Sequence, residues 1–251
     1  MVQGPADFDA RTVESVAAHF EELASALHVG EKVELERLTD LVTRVLSNAE
    51  HAGITLIRHR RHPHTMAATD QLPREVDHLQ YELNEGPCLA ASTGHDVVLS
   101  RDLAVEERWN RFSEHCVELT GIRSMLSVRL ALSDHDRAAL NFYSGRVDAF
   151  DDDDLMTGAV LAPFVALHVE RILHQRDVAD LSLALESNRQ IGIAIGILMN
   201  QLRITEKEAF DRLRVTSQHL NRKLREIAEE VRFTGELPEL PPTRAERRLT
   251  S

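Results

Sequence analysis

Ile191-Gly192-Ile193-Ala194-Ile195-Gly196-Ile197-Leu198-Met199, then Thr205-Glu206-Lys207-Glu208-Ala209-Phe210, then Ser217-Gln218 and Asn221-Arg222-Lys223-Leu224-Arg225, is the text that decides how this chain is read. From Leu181 to Met199, positions 181, 185, 188, 192, 195 and 199 follow a 4-3-4-3-4 spacing, which lines one face of a helix. Five of the six are Leu, Gly, Ile or Met. The sixth is Asn188, a polar residue of the kind that fixes register between two chains at some cost in stability. Two readings stay open: a seam between two copies, or an amphipathic core helix inside one domain. Gly192 and Gly196 share a face, and each loses roughly 1 kcal/mol against Ala in a helix, so close packing is expected to compensate.

Thr205 with Glu208 three residues on forms a capping box and opens a second helix, with Ala209, Phe210 and Leu213 as its apolar stripe. Asn221 is read as the N-cap of a third helix, whose buried side is Leu224, Ile227, Ala228 and Val231. Phe233-Thr234-Gly235 ends it, and Pro238, Pro241 and Pro242 forbid continuation. The expectation is a bundle of three short helices. From Arg212 to Arg225 the cations Arg212, Arg214, Arg222, Lys223 and Arg225 occur with no acid between them, and Ser217, Gln218, His219 and Asn221 lie among them. Cations beside short polar side chains suit nucleic acid, the charges for phosphates and the amides for bases, although such a run alone is also what a solvated helix face looks like.

Ala194-x-Gly196-x-Leu198-Met199, Glu208-Ala209-Phe210 and Ser217-x-x-x-Asn221-x-Lys223-Leu224 together resemble the ANTAR family over roughly residues 184–237. Many members carry a polar residue between the Ala and Gly of the first element, where this chain has Ile195. ANTAR domains are RNA-binding modules of bacterial transcription antiterminators. The resemblance implies binding to a pair of RNA hairpins with short loops, which keeps an overlapping terminator from forming. It places Arg214, Ser217, Gln218, Asn221, Arg222, Lys223 and Arg225 at the RNA. It makes Ala194, Gly196, Leu198, Met199, Ala209, Phe210 and Leu224 structural. On that basis Asn221→Ala and Lys223→Ala should weaken RNA binding with stability nearly unchanged. Phe210→Ala should cost roughly 3–5 kcal/mol, as for a buried aromatic.

A chain of 251 residues has room for two modest domains, and 43% hydrophobic with 4% aromatic residues means cores of aliphatic packing. Two cysteines, Cys88 and Cys116, argue against a disulfide scaffold or zinc ribbon and fit a reducing cytosol. No signal peptide and no long apolar run is read, so a soluble, cytoplasmic protein is expected. The net charge of −12 is uneven. Residues 176–251 hold 13 Lys/Arg against 12 Asp/Glu, and the remainder 16 against 29. The acidic burden therefore lies outside the basic segment, and whole-chain charge is a poor guide to its partner. A net of +1 is still low for an RNA binder, so modest affinity per module, raised by two modules acting together, is expected.

Upstream, Val13, Val16, Ala17, Phe20, Leu23, Ala24 and Leu27 form a helical stripe, and a second runs through Val33, Leu38, Leu41, Val42, Val45, Leu46 and Ala49. Gly53–Arg60 and His64–Asp70 read as paired strands, and Gln71–Leu83 as partly helical. Val97–Ser100, Ser124–Leu132 and Ala138–Ser144 read as further strands, with Ser133–Asp136 as a hairpin turn. Arg111–Thr120 reads as a short helix, and Asp151–Gln201 as nearly continuous helix with an acidic first turn. This order, with Tyr81-Glu82-Leu83-Asn84-Glu85-Gly86-Pro87-Cys88-Leu89-Ala90, Arg101-Asp102-Leu103 and Trp109, resembles a GAF domain of the kind joined to ANTAR modules. GAF domains are sensory, and the resemblance implies a small-molecule ligand between sheet and covering loops, or a dimer platform.

Other constellations weigh less. His59, His62 and His64 stand beside Arg58, Arg60 and Arg61, whose charge disfavours a metal. Cys88 is read as a small buried residue before a reactive thiol. Asp151–Asp154 is read as a helix-starting cap before a phosphoacceptor site. No P-loop, Gly-x-Gly-x-x-Gly, His-Glu-x-x-His or Gly-x-Ser-x-Gly occurs, so no catalytic residue, cofactor or metal is assigned.

The expected fold is α+β: an N-terminal helix over 1–34, a GAF sensor over 35–172, a helical, coiled-coil-like linker over 173–187, an all-α three-helix ANTAR domain over 188–240 and a disordered tail over 241–251. The expected function is non-catalytic: a homodimer that binds a two-hairpin leader RNA and promotes antitermination, with no membrane partner. A DNA-binding regulator and a protein-interaction scaffold are the alternatives.

Overall fold

The computed structural model describes residues 31–239 except 47, 59–61 and 133–135, with side chains from Leu35 onward. The stripe expected over residues 13–27, the tail, the middle of the basic turn and the tip of the hairpin lie outside the described residues. The chain divides into two compact units at Leu173/His174.

In the first unit the order is α1 (Glu31–Val45), β1 (His51–Ile57), β2 (His64–Ala68), α2 (Gln71–Leu83), α3 (Pro87–Thr93), β3 (Val97–Ser100), a single 3-10 turn (Leu103–Val105), α4 (Asn110–Thr120), β4 (Ser124–Leu130) and β5 (Arg137–Ser144). Helix α5 (Asp152–Leu202) begins here and runs on into the second unit, where α6 (Glu206–Leu220) and α7 (Leu224–Thr234) follow. The five strands form one antiparallel sheet ordered β2-β1-β5-β4-β3.

Successive strand residues point to opposite faces, and here the two faces differ in chemistry. Ala52, Ile54 and Leu56 of β1, Leu126 and Val128 of β4, and Leu140 and Phe142 of β5 build an apolar layer with Leu35, Leu38 and Val42 of α1 and Leu161, Val165, Val169 and Ile172 of α5. Gly158 lets α5 approach the sheet: a Cβ there would lie 3.0 Å from Val128 Cγ2. The opposite face is covered by α2, α3 and α4 through Val76, Phe112, Cys116, Cys88 and Ala91.

The helix read as partial over Gln71–Leu83 is complete, capped by Asp70, whose carboxylate accepts from the Leu72 N–H at 2.8 Å. Helix α3 was not expected. The Gly86-Pro87 pair looks like a turn, yet Pro in the first helical position is a helix-starting signal, because its missing N–H would be unpaired there anyway. Gly86 (φ 132) is required, since a Cβ would meet Gln80 Oε1 at 2.3 Å. The Asp151 carboxylate caps α5, accepting from the N–H groups of Asp153 and Asp154 at 3.0 Å each, and the Asp154 carboxylate accepts from the Asp151 N–H. The acidic run thus starts the helix.

One expectation about α5 needs correcting. By length and composition it is apolar enough to cross a membrane. Its apolar residues serve two faces, one buried against the sheet and one exposed, so the run is denser than an ordinary amphipathic helix. In the second unit, Ala194 and Leu198 of α5, Ala209 and Leu213 of α6, and Ile227, Ala228 and Val231 of α7 close a small core. Its first helix is therefore the end of a 51-residue one.

Candidate nucleic-acid interface

The capping box forms as expected: Thr205 Oγ1 accepts from the Glu208 N–H at 3.3 Å, and the Glu208 carboxylate accepts from the Thr205 N–H at 2.8 Å. Donation to the Glu208 carboxylate from the Thr205 N–H and, at 2.8 Å, from the Thr205 hydroxyl holds that carboxyl below the usual range.

The connection from α6 to α7 differs from the sequence reading. Asn221 does not cap α7; it ends α6 in the left-handed conformation (φ 50, ψ 40). The Arg222 N–H bonds the Ser217 carbonyl at 3.1 Å and the Asn221 N–H bonds the Gln218 carbonyl at 3.3 Å. That pair of bonds is a Schellman motif, and Asn is one of the few residues besides Gly that enters the left-handed region readily. The Ser217 hydroxyl closes the turn from the other side, donating to the Arg222 carbonyl at 2.6 Å. Lys223 occupies the N-cap of α7 without a side-chain capping bond. Asn, Ser and Asp residues favour both helix starts and left-handed helix ends, which is why the sequence suggested the wrong helix for Asn221.

The structure also redistributes the basic segment. Residues two apart on a helix point about 200° apart, so Arg212 and Arg214 leave α6 on opposite sides. Arg214 is paired with Asp211 at 3.1 Å. Arg222 is held by Glu230 at 2.7 Å and lies 3.9 Å from Glu226, so a run without acids in sequence acquires them in space. Lys223 and Arg225 are exposed and make no ion pair among the described residues, and Gln218 and Asn221 are exposed beside them in sequence. Arg212 and His219, seven apart and both exposed, share a side of α6. The sequence marked them only as members of the basic run, and their seven-residue spacing was the available signal.

The residues assigned to structure divide as well. Ala194, Leu198 and Ala209 are buried, and Leu224 packs at the edge of the core. Phe210 is 39% exposed and Met199 36%. Gly196 and Gly192 are exposed, and a Cβ at either would meet nothing within 4 Å. Neither glycine is explained by packing among the described residues.

In the first unit the face covered by α2–α4 carries one small polar residue on each strand: Thr65, Thr55, Asn141, Ser127 and Ser100 across β2-β1-β5-β4-β3. The fully buried Asp77 of α2 organises one end of this row. Its carboxylate accepts from Tyr143 (2.6 Å), Thr65 (2.7 Å), Thr55 (2.9 Å) and Tyr81 (3.3 Å). Burial raises the Asp77 carboxyl despite these four hydroxyls, and burial followed by the nearby Asp77 raises the Cys88 thiol. Farther along the row, Ser127 Oγ and Asn141 Oδ1 are buried without a hydrogen-bond partner among the described residues. Near β3, Arg123 grips Asp102 through two bonds of 2.9 and 2.8 Å, and Arg108 stacks over Trp109 at 4.4 Å, which accounts for both short motifs noted in the sequence.

A family model of the GAF domain matches residues 30–170, and one of the ANTAR domain matches residues 179–231. Among solved structures, the GAF domain of an Acinetobacter phosphoenolpyruvate-protein phosphotransferase superposes with a TM-score of 0.53 at 16% identity, covering 69% of this chain and 99% of that one. The GAF domain of a Coxiella burnetii phosphoenolpyruvate-protein phosphotransferase gives 0.50 at 10% identity, covering 66% and 96%. At such identities the likeness shows the fold alone. No curated protein matches the chain.

Proposed function

Because this chain belongs to the GAF family and carries an ANTAR domain, a module that binds RNA in antitermination, we propose that it is a signal-responsive, non-catalytic antiterminator that binds paired hairpins in a nascent transcript. The carrying observation is the corner between α6 and α7. A Schellman turn fixes the backbone there, and Lys223 and Arg225, with no ion pair among the described residues, follow it directly. A rigid turn with cations and exposed amides suits a structured RNA loop, where phosphates and splayed bases are met together. Ser217 and Arg222 support the turn, while Gln218, Asn221, Lys223 and Arg225 contact RNA, with Arg212, Arg214 and His219 flanking.

A DNA-reading helix is disfavoured, because α7 carries Glu226, Glu229 and Glu230, which would face phosphates in a major groove. The protein acts in the cytoplasm as a homodimer whose α5 helices pair along Leu181, Leu185, Asn188, Gly192, Ile195 and Met199. In that arrangement two heads meet two hairpins and their modest affinities combine. The GAF unit takes a small polar ligand against the row around Ser127 and Asn141, whose partnerless oxygens support this, and α5 carries the signal to the heads.

The test is binding of the full chain to a two-hairpin leader RNA, with single-hairpin RNA and duplex DNA as controls, across a salt series and with mass measured alongside. Tight binding to paired hairpins by a dimer supports the reading. Preference for duplex DNA, or no binding by a folded dimer at any salt, overturns it. An insertion of three or four residues near Val178 tests the coupling, which fails if ligand-dependent regulation survives.

A further inference from the structure

Phe210 stands in the second unit with its ring half open, and the core of that unit does not use it. Phe210 and Ile195 wall an open groove of about 410 Å³, bounded further by Thr205, Glu206 and Lys207. The side of α6 that faces the core carries Ala209, Leu213 and Thr216. Spacings of three and four set a second row about a third of a turn round the helix: Lys207, Phe210, Arg214, Ser217 and Asn221. Ser217 is half-buried and the other four are exposed. At 1.5 Å per residue, Phe210 lies about 16 Å along α6 from Asn221, so this row joins the groove to the Schellman corner.

We propose that the groove receives an unpaired base of the RNA loop, stacked on the Phe210 ring, with Lys207 and Arg214 on the adjoining phosphates. The inference rests on the RNA-binding reading above and deepens it, carrying the contact from the corner along the length of α6. An aromatic ring left 39% exposed between two cations is the arrangement that holds single-stranded nucleic acid, because every base has a face that stacks. The groove falls within the range of about 300–1,000 Å³ of small-molecule sites, ample for one base.

The charged groups around the groove fix the chemistry of its occupant. Lys207 makes no ion pair among the described residues, and Arg214 shares its charge with Asp211 at 3.1 Å, each of the two about half exposed. Both cations are therefore open to phosphate. The exposed Glu206 carboxylate can only accept, so it meets the N–H edge of a base and turns a phosphate away from the groove itself. An apolar protein side chain would fill the same space but would leave the two cations and the carboxylate unused.

The experiment is an abasic scan. The full chain is titrated with a two-hairpin leader RNA and with versions lacking one loop base at a time, for the parent, Phe210→Leu and Phe210→Trp. Leu keeps an apolar side chain in the groove and removes the stacking face, and urea midpoints check that each variant is folded. Phe210→Leu should bind the intact RNA about tenfold more weakly, the order of one base–aromatic stack, and Phe210→Trp should bind as well as the parent. At one loop position, loss of the base should cost the parent about tenfold and Phe210→Leu almost nothing, the coupling that direct contact requires. Phe210→Leu that binds like the parent overturns the proposal and leaves the contact at the corner intact. A loss of the same size on every RNA also overturns it, since that marks a structural role. Failure of the parent to bind any of these RNAs removes both readings. Lys207→Ala should lower the slope of log affinity against log salt by about one, and an unchanged slope overturns the phosphate contact at this end of α6.

Discussion

Replacing Asn221 separates its place at the end of α6 from the RNA contact proposed for it. Its backbone is left-handed, a conformation that costs an ordinary L-residue about 1–2 kcal/mol and Gly almost nothing. Asn already tolerates the region, so Asn221→Ala should lose about 1 kcal/mol, whereas Asn221→Gly should stay within a few tenths. Both variants remove the same side-chain amide. Hydrogen exchange on the full chain, followed at amides of α6 and α7, should show openings about fivefold more frequent for Asn221→Ala, given that 1.4 kcal/mol is tenfold. RNA affinity should fall to a similar degree in both, because the lost amide is common to both. If Asn221→Ala exchanges like the parent, or Asn221→Gly is the less stable of the two, the turn is not what sets this residue. If Asn221→Gly binds RNA as well as the parent, the amide makes no contact.

Phe210→Ala should cost about 1–2 kcal/mol, below a fully buried aromatic, while Leu213→Ala on the same helix should cost about 2–5 kcal/mol; urea midpoints in which Phe210→Ala is the more damaging would contradict this. Lys223→Ala and Arg225→Ala should each weaken RNA binding and lower the slope of log affinity against log salt with no change in unfolding, and an unchanged slope would place them away from phosphates. Burial raises the Asp77 carboxyl, so its contribution to stability is fully present below the ordinary carboxylate value and is lost as pH rises through the elevated one. Urea midpoints should therefore fall with pH above about 4 in the parent more than in Asp77→Asn, and parallel curves would show that Asp77 does not titrate differently on folding. Both thiols are buried, with Cys116 pushed up to about 11, so neither should react with a thiol reagent at neutral pH until the chain is unfolded; rapid native labelling would reopen a redox role for Cys88.

The elements legible in the sequence were those whose signals are local. The strands, the capping box at Thr205, the acidic start of α5 and its near-continuity to Gln201 are set by neighbours close in sequence, and each stands within a few residues of where it was expected. The family motifs carried the rest of that reading, since they match both halves of the chain.

What only the tertiary structure decided depends on residues brought together from afar or on which of two faces is covered. Arg222 looked free until α7 folded Glu226 and Glu230 against it. Asn221 suited either end of a helix, and only the bonds from Arg222 to Ser217 and from Asn221 to Gln218 fixed which. Phe210 and Met199 read as core because apolar residues at helical spacing say that a face is covered, not what covers it; within one chain both remain half open. The polar row from Thr65 to Ser100 was invisible for the same reason. Each strand contributes one residue of it, and it becomes a feature only when hydrogen bonding sets five strands side by side.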